Sequence, residues 1–144
     1  MNMKSERGEA MAWMAIVMVF LMVPLMGITI DITRAMYVRG HLQAASDAGC
    51  QAAADAMMVP LFMETGEQKI DAGLMVGRAG QVFNATLSDS GQVRFAPTLA
   101  LRLLTPTSVE CTATASVARL LPSVVPEINI RVSTVSEMRA RSNP

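Results

Sequence analysis

The feature that most constrains this chain is an uncharged apolar run from Ala10 to Ile30, close to the N-terminus. At a rise of ~1.5 Å per residue, a helix over this run is about 30 Å long, the thickness of the hydrocarbon core of a bilayer. The run is longer than the apolar core of a secretory signal, and no small-x-small cleavage site directly follows it. The sequence therefore predicts a membrane span that is retained.

The helical pattern continues beyond the span without a turn signal. Residues 42–58 are dominated by alanine, the strongest helix former, and Val59-Pro60 supplies the first stop. We therefore predict one helix from about Glu9 to Met58, made of the span and a water-exposed stem.

The stem has two distinct faces. Four small residues at helical spacing share one side, which predicts a contact face for the domain's own sheet or for a partner subunit. The alternative is that alanine merely keeps a solvated stem helical. Polar side chains recur every four residues and predict a solvated stripe. The contact face comprises Ala45, Ala48, Gly49 and Ala52, and the stripe comprises Gln43, Asp47, Gln51 and Asp55.

Behind the stem the pattern predicts a second helix and then strands. Thr65 to Gln68 matches a capping box, so a helix is expected from about Glu67 to Leu87, closed by the turn Ser88 to Gly91. Further on, apolar and polar residues alternate in segments rich in Val, Thr and Ile, which is typical of half-buried strands. The predicted strands are Gln92–Leu104, Ser108–Leu120 and Glu127–Met138. The expected fold is α+β, with a small antiparallel sheet packed on helix.

Two residue pairs are candidates for specific contacts. Asp31 and Arg34 stand at i,i+3 just beyond the span, where they could form an ion pair at the membrane interface. Cys50 and Cys111 are the only cysteines. They are either two buried thiols or, if their compartment is oxidising, a disulfide that ties the stem to the sheet.

Composition excludes several classes of function. Twelve basic residues balance twelve acidic ones, and the chain has only one Trp, one Tyr and four Phe, so neither a basic patch nor a base-stacking surface for nucleic acid is expected. Two cysteines without a matching pair of histidines make no zinc site, and His41 is the sole histidine. Because no catalytic motif occurs either, we expect a protein without enzymatic activity and without a cofactor.

The order of charged residues around the span resembles that of the TadE/TadG-like proteins of the Tad (tight adherence) Flp-pilus assembly systems. The residues that carry the resemblance are Arg7-Gly8, Ile30-Asp31, Arg34, Arg39, Leu42-Gln43, Ala45, Asp47-Ala48 and Ala52 to Ala54. The resemblance implies a non-enzymatic structural or accessory component anchored in the bacterial inner membrane by a single span. Its expected partners are the lipid bilayer and other pilus or assembly-platform subunits.

The same resemblance implies a topology and a processing site. Residues 1–8 would be a cytoplasmic leader, residues 9–58 the span and stem, and residues 59–144 a small periplasmic α+β domain. Pilin-like members are cut after the leader glycine by a prepilin peptidase, here between Gly8 and Glu9. They usually carry glutamate at the fifth mature position, where this chain has Trp13, so the TadG-like branch fits better. The competing interpretation is a periplasmic binding module, unrelated to pili, that uses the helix as a tether.

Overall fold

A computed structural model of the protein describes residues 3–88, 95–117 and 128–139, with side chains from Glu9 onward. Three helices precede three strands, and the predicted α+β class is confirmed. The helices are α1 (Met3–Ala54), α2 (Val59–Thr65) and α3 (Ala72–Ser88), and the strands are β1 (Phe95–Thr105), β2 (Ser108–Val117) and β3 (Ile128–Glu137).

Helix α1 is a single element of 52 residues, about 78 Å long, and it passes through Pro24 without ending. It ends at Ala54, four residues before the predicted Met58. The chain leaves the helix there because residues 56–58 bond instead to residues 69–71. The amide of Met58 donates to the carbonyl of Lys69 (2.8 Å), and the amide of Asp71 donates to the carbonyl of Ala56 (2.7 Å).

Val59-Pro60 was predicted to end the long helix, but α1 has already ended at Ala54 and these two residues begin the short helix α2. Proline is tolerated in a first turn, where its missing N–H would have no helical partner. Helix α2 ends at Thr65 and is followed by the C-cap Gly66, whose φ of 72° places it in the left-handed region that glycine favours.

The predicted capping box at Thr65 is also wrong. Thr65 is the last residue of α2, and its hydroxyl donates to the carbonyl of Leu61 (2.8 Å). Helix α3 is capped by Asp71, whose Oδ1 accepts from the amides of Gly73 (2.8 Å) and Leu74 (3.3 Å). The helix therefore begins at Ala72, five residues after the predicted Glu67.

Helix α3 buries one face. Met75, Ala79 and Phe83 are buried, whereas Leu74 is 49% exposed. Helix α3 runs antiparallel to α1, since Phe83 shares a cluster with Ala45, and Met75 shares one with Ala53.

The strands form an antiparallel meander in the order β1-β2-β3, with β2 in the centre. The predicted alternation is confirmed in β2, where every odd residue is buried. These residues are Val109, Cys111, Ala113, Ala115 and Val117. Residues 89–94, 118–120 and 127, which belong to the predicted turn and to the outer ends of the predicted strands, lie outside the described residues.

The core lies between one face of the sheet and the helical layer of α1 and α3. The outer face of the sheet carries exposed residues such as Thr98, Thr114 and Arg131. Strand β3 runs in the same direction as α1, because Thr134 contacts Asp47 and, one turn further along the helix, Ser136 contacts Gln51. Strands β1 and β3 therefore run away from the apolar part of α1, and β2 runs back toward it.

Candidate functional site

The first half of α1 is a candidate membrane span. Its mean hydropathy reaches 2.3, and only 6% of its most apolar window is buried within the protein. Trp13 is 64% exposed and Phe20 is 81% exposed. A core helix of comparable length would bury such side chains against its own domain, so this segment needs an apolar environment that the domain does not supply.

At the end of the span, the helix begins to contact the rest of the domain. Asp31 is 2% exposed and Arg34 is half-buried, so both charged side chains lie at least partly within the fold. The ion pair between them stays a prediction. Tyr37 follows on the same helix and contacts His41, with ring centroids 4.3 Å apart and ring planes tilted by 55°, which gives the sole histidine an aromatic neighbour.

The small residues of the stem lie against α3 and the sheet. Ala45 and Gly49 are buried, whereas Ala48 and Ala52 are half-buried. A Cβ atom on Gly49 would meet the carbonyl oxygen of Ala79 at 3.2 Å and the Cβ of Phe83 at 3.3 Å. Glycine at this position therefore lets α1 and α3 approach more closely than a residue with a side chain would allow.

The two cysteines lie opposite each other where the stem crosses the central strand. The structure joins Cys50 of α1 to Cys111 of β2 in a disulfide, with 5.7 Å between their Cα atoms and 61 positions between them in the chain. Both residues are fully buried. The bond fixes the distal half of the stem to the middle of the sheet.

The predicted solvated stripe is exposed at Gln43, Asp47 and Asp55, and Gln43, Asp47 and Gln51 also bond to β3, which makes a polar seam between α1 and β3. The hydroxyl of Thr134 donates to Oδ1 of Asp47 (2.7 Å) and accepts from Nε2 of Gln43 (3.3 Å). The hydroxyl of Ser136 donates to Oε1 of Gln51 (3.1 Å). The spacing of polar residues along α1 predicted the stripe but not its partners on β3. The alternation in β3 could have indicated these partners, because it places Thr134 and Ser136 on the side of the strand that faces the helix.

The domain also has an open cleft at the end farthest from the span. Its volume is about 690 Å³, and its lining combines Met57 and Phe62 with the guanidinium groups of Arg78 and Arg139. Arg78 Nη1 donates to the carbonyl of Asp55 (3.4 Å), and Asp55 also lines the cleft. Among the described residues, no group of three or more His, Cys, Asp or Glu side chains could hold a metal ion.

The predicted cleavage site lies in the first turns of α1. Gly8 and Glu9 are both within the helix, and Trp13 follows one turn later. Cleavage between Gly8 and Glu9 stays a prediction.

The comparison with protein families matches the anchored part of the chain. Residues 8–56 match the model of a family described as putative Flp pilus-assembly TadE/G-like. No curated protein and no solved structure matches the chain. The matched segment begins at the predicted leader glycine and ends two residues after α1, so it covers the span and the whole stem. The resemblance found in the sequence is therefore confirmed over residues 8–56, where the chain is similar to the TadE/G-like proteins of Flp-pilus assembly.

Proposed function

We propose that this protein is a non-enzymatic structural or accessory subunit of a Tad-type Flp-pilus assembly apparatus, anchored in the inner membrane by α1. The family match supports involvement in Flp-pilus assembly. The observation that carries the finer proposal is the continuity of α1, which leaves the apolar run at Ile30 and then forms the core of the domain as far as Ala54.

This continuity has a mechanical consequence. A flexible tether would let the domain rotate freely above the membrane, whereas a helix shared by span and core fixes its orientation and height. Fixed geometry is what a repeating or multi-subunit assembly needs from each part, since every interface must meet its partner in register. A pure binding module gains little from such coupling.

We further propose that residues 59–144 lie in the periplasm and that residues 1–8 lie in the cytoplasm. The disulfide between Cys50 and Cys111 supports this topology, because disulfides persist in the bacterial periplasm and are rare in the cytosol. A reporter fused after the C-terminus that is active only outside the cytoplasm tests the topology directly.

Processing by a prepilin peptidase is a separate part of the proposal. Cleavage between Gly8 and Glu9 would expose a new amino terminus at the start of the span, and the chain would lose about 0.9 kDa. Trp13 stands where pilin-like relatives usually have glutamate, so we expect the processed subunit to act beside the fibre rather than as its repeating unit. A Gly8→Ala variant that migrates like the parent in cells with the peptidase would contradict processing.

The decisive experiment for the assembly role is co-purification from membranes of the native host. A tagged full-length chain is expected to retain pilus-platform subunits, and deletion of its gene is expected to abolish surface pili. Normal pili in the deletion strain, together with no platform subunit in the purified fraction, would overturn the proposal. That outcome would favour the periplasmic binding module, for which the distal cleft with Arg78 and Arg139 is the specific supporting observation.

A further inference from the structure

The sheet has two long edges. Within the described residues, β1 and β3 pair only with β2, so the outer edges of an 11-residue strand and a 10-residue strand carry main-chain groups without a strand partner. An open edge of this length is a template for pairing with another chain. Pro97 removes one donor from the part of β1 nearest the span, and it leaves the segment from Thr98 to Thr105 able to pair.

The direction of the two edges limits which chain can pair with them. Both strands are antiparallel to β2, so they run parallel to each other and away from the span. Pairing two copies of one edge about a two-fold axis makes the paired strands antiparallel, and it would point the two spans in opposite directions. Pairing β1 of one copy with β3 of another makes a parallel pair and keeps both spans in one bilayer.

The side chains at the distal ends of the two edges complement each other. On the outer face of β1, Arg102 is followed by Leu104, which is 46% exposed. On the outer face of β3, Val135 is 57% exposed and is followed by Glu137. Arg102 on β1 and Val135 on β3 are both cross-strand partners of Glu110 on β2, so they lie at the same level along the strands. Leu104 falls where the register of β1 with β2 shifts between Leu103 and Thr105, so it has no counterpart at the same level on β3. In a level parallel pairing, the diagonal neighbours are therefore Arg102 and Glu137.

From these observations we propose that copies of this chain associate head to tail, with β1 of one copy paired in parallel with β3 of the next. The interface joins two different surfaces, so it repeats and generates a ring or an open array whose spans all enter the same membrane. This inference rests on the membrane anchoring in the proposed function, but it does not require any other pilus protein.

The test uses cysteine cross-linking of the full-length chain in membranes of cells that produce no other pilus protein. Ala100 and Ser133 are exposed on the outer face and both flank Thr112, so they lie at the same height on opposite edges. With a short bismaleimide, an A100C/S133C double variant is expected to give a ladder of dimers, trimers and higher multiples. A100C and S133C alone should stay monomeric, and the two single variants produced together should give dimers only.

Two controls make the result specific. T114C places the thiol on the central strand and should give no ladder. R102E and E137R should each reduce the ladder about three-fold, as expected for one cross-strand charge pair, and the combined exchange should restore it. Dimers from either single variant alone would show same-edge pairing and overturn the proposal, and so would the absence of a ladder from a double variant that retains its Cys50–Cys111 disulfide.

The outcome is separable from that of the proposed function. A ladder in cells without pilus genes supports head-to-tail association even if deletion of the gene leaves pili intact. Loss of pili without any ladder supports the assembly role and rejects this interface.

Discussion

The two halves of α1 have the same secondary structure but different sources of stability. The span up to Ile30 exposes almost all of its apolar side chains, so its packing partner is outside the domain. The stem from Asp31 to Ala54 buries a face built from small residues, cysteine and leucine against α3 and the sheet. The comparison shows that one continuous helix changes near Ile30 from exposed apolar side chains to a face that packs within the domain.

The largest expected difference between the two regions concerns two phenylalanines. Phe83 is 3% exposed and contacts the stem, whereas Phe20 is 81% exposed in the span. We expect Phe83→Ala to lower the free energy of unfolding of the domain by about 4 kcal/mol and Phe20→Ala to change it by less than about 0.5 kcal/mol. Denaturant titration of the full chain in detergent measures both values. Equal losses would mean that the span packs on the domain.

The disulfide should make a similarly large contribution. Replacing Cys50 and Cys111 together by alanine is expected to reduce the free energy of unfolding by about 4 kcal/mol, because the open chain gains loop entropy over the 61-residue separation. Reducing the disulfide of the parent protein should lower its denaturation midpoint by the same amount as the double substitution does. The midpoint of the double variant should not change when reductant is added. A parent whose midpoint is unaffected by reductant, with free thiols that react after unfolding, would contradict a disulfide in the cell.

Two glycines on α1 allow a packed position to be compared with an open one. Gly49 lies against Ala79 and Phe83, whereas a Cβ on Gly40 would meet nothing within 4 Å. Gly49→Leu should lower the free energy of unfolding by about 2 kcal/mol, because the larger side chain forces α1 and α3 apart. Gly40→Leu should leave the free energy of unfolding unchanged or raise it by about 0.5 kcal/mol. Thermal unfolding followed by circular dichroism compares them. If both leucines were tolerated equally, the close approach of α1 and α3 would be wrong.

The smallest expected effect comes from the polar seam. Thr134→Val removes a hydroxyl that donates to Asp47 and accepts from Gln43. We expect this substitution to lower the free energy of unfolding by about 1 kcal/mol. Thr112→Val, on the solvent-facing side of β2, is the matched control and should have no measurable effect. A double-mutant cycle with Asp47→Ala isolates the bond between Thr134 and Asp47, and a coupling energy of zero would mean that the seam is solvated.

Much of this fold is encoded locally and could be predicted from the sequence. The span follows from an uncharged run of bilayer length, and β2 follows from strict alternation around Cys111, because both patterns express burial directly. The start of α3 could not be placed. Thr65 and Asp71 could both cap the N-terminus of a helix. Which of them does so depends on the pairing of residues 56–58 with residues 69–71, and this long-range contact cannot be predicted from local propensity.

The candidate site was predicted in outline but not in its contacts. The spacing of Ala45 and Gly49 indicated a packing face, whereas its partner, α3, depended on tertiary structure. The stripe through Gln43 and Asp47 is exposed to water as expected, but nothing in the helix sequence shows that Thr134 also lies within hydrogen-bonding distance of it. Polar positions on a helix indicate hydrogen-bonding capacity, but they do not show whether water or a strand satisfies it.

The central claim is that span and domain act as one rigid unit in an assembly, and inserting residues between them tests it most directly. A flexible Gly-Ser-Gly-Ser segment placed between Ile30 and Asp31 uncouples the two halves of α1, whereas a seven-alanine insert of two helical turns keeps them coupled and nearly in phase. In the native host, we predict that the flexible insert abolishes surface pili while the protein remains folded and membrane-bound, and that the alanine insert retains them at least in part. Normal pili with the flexible insert would show that α1 is only a tether and would contradict the account.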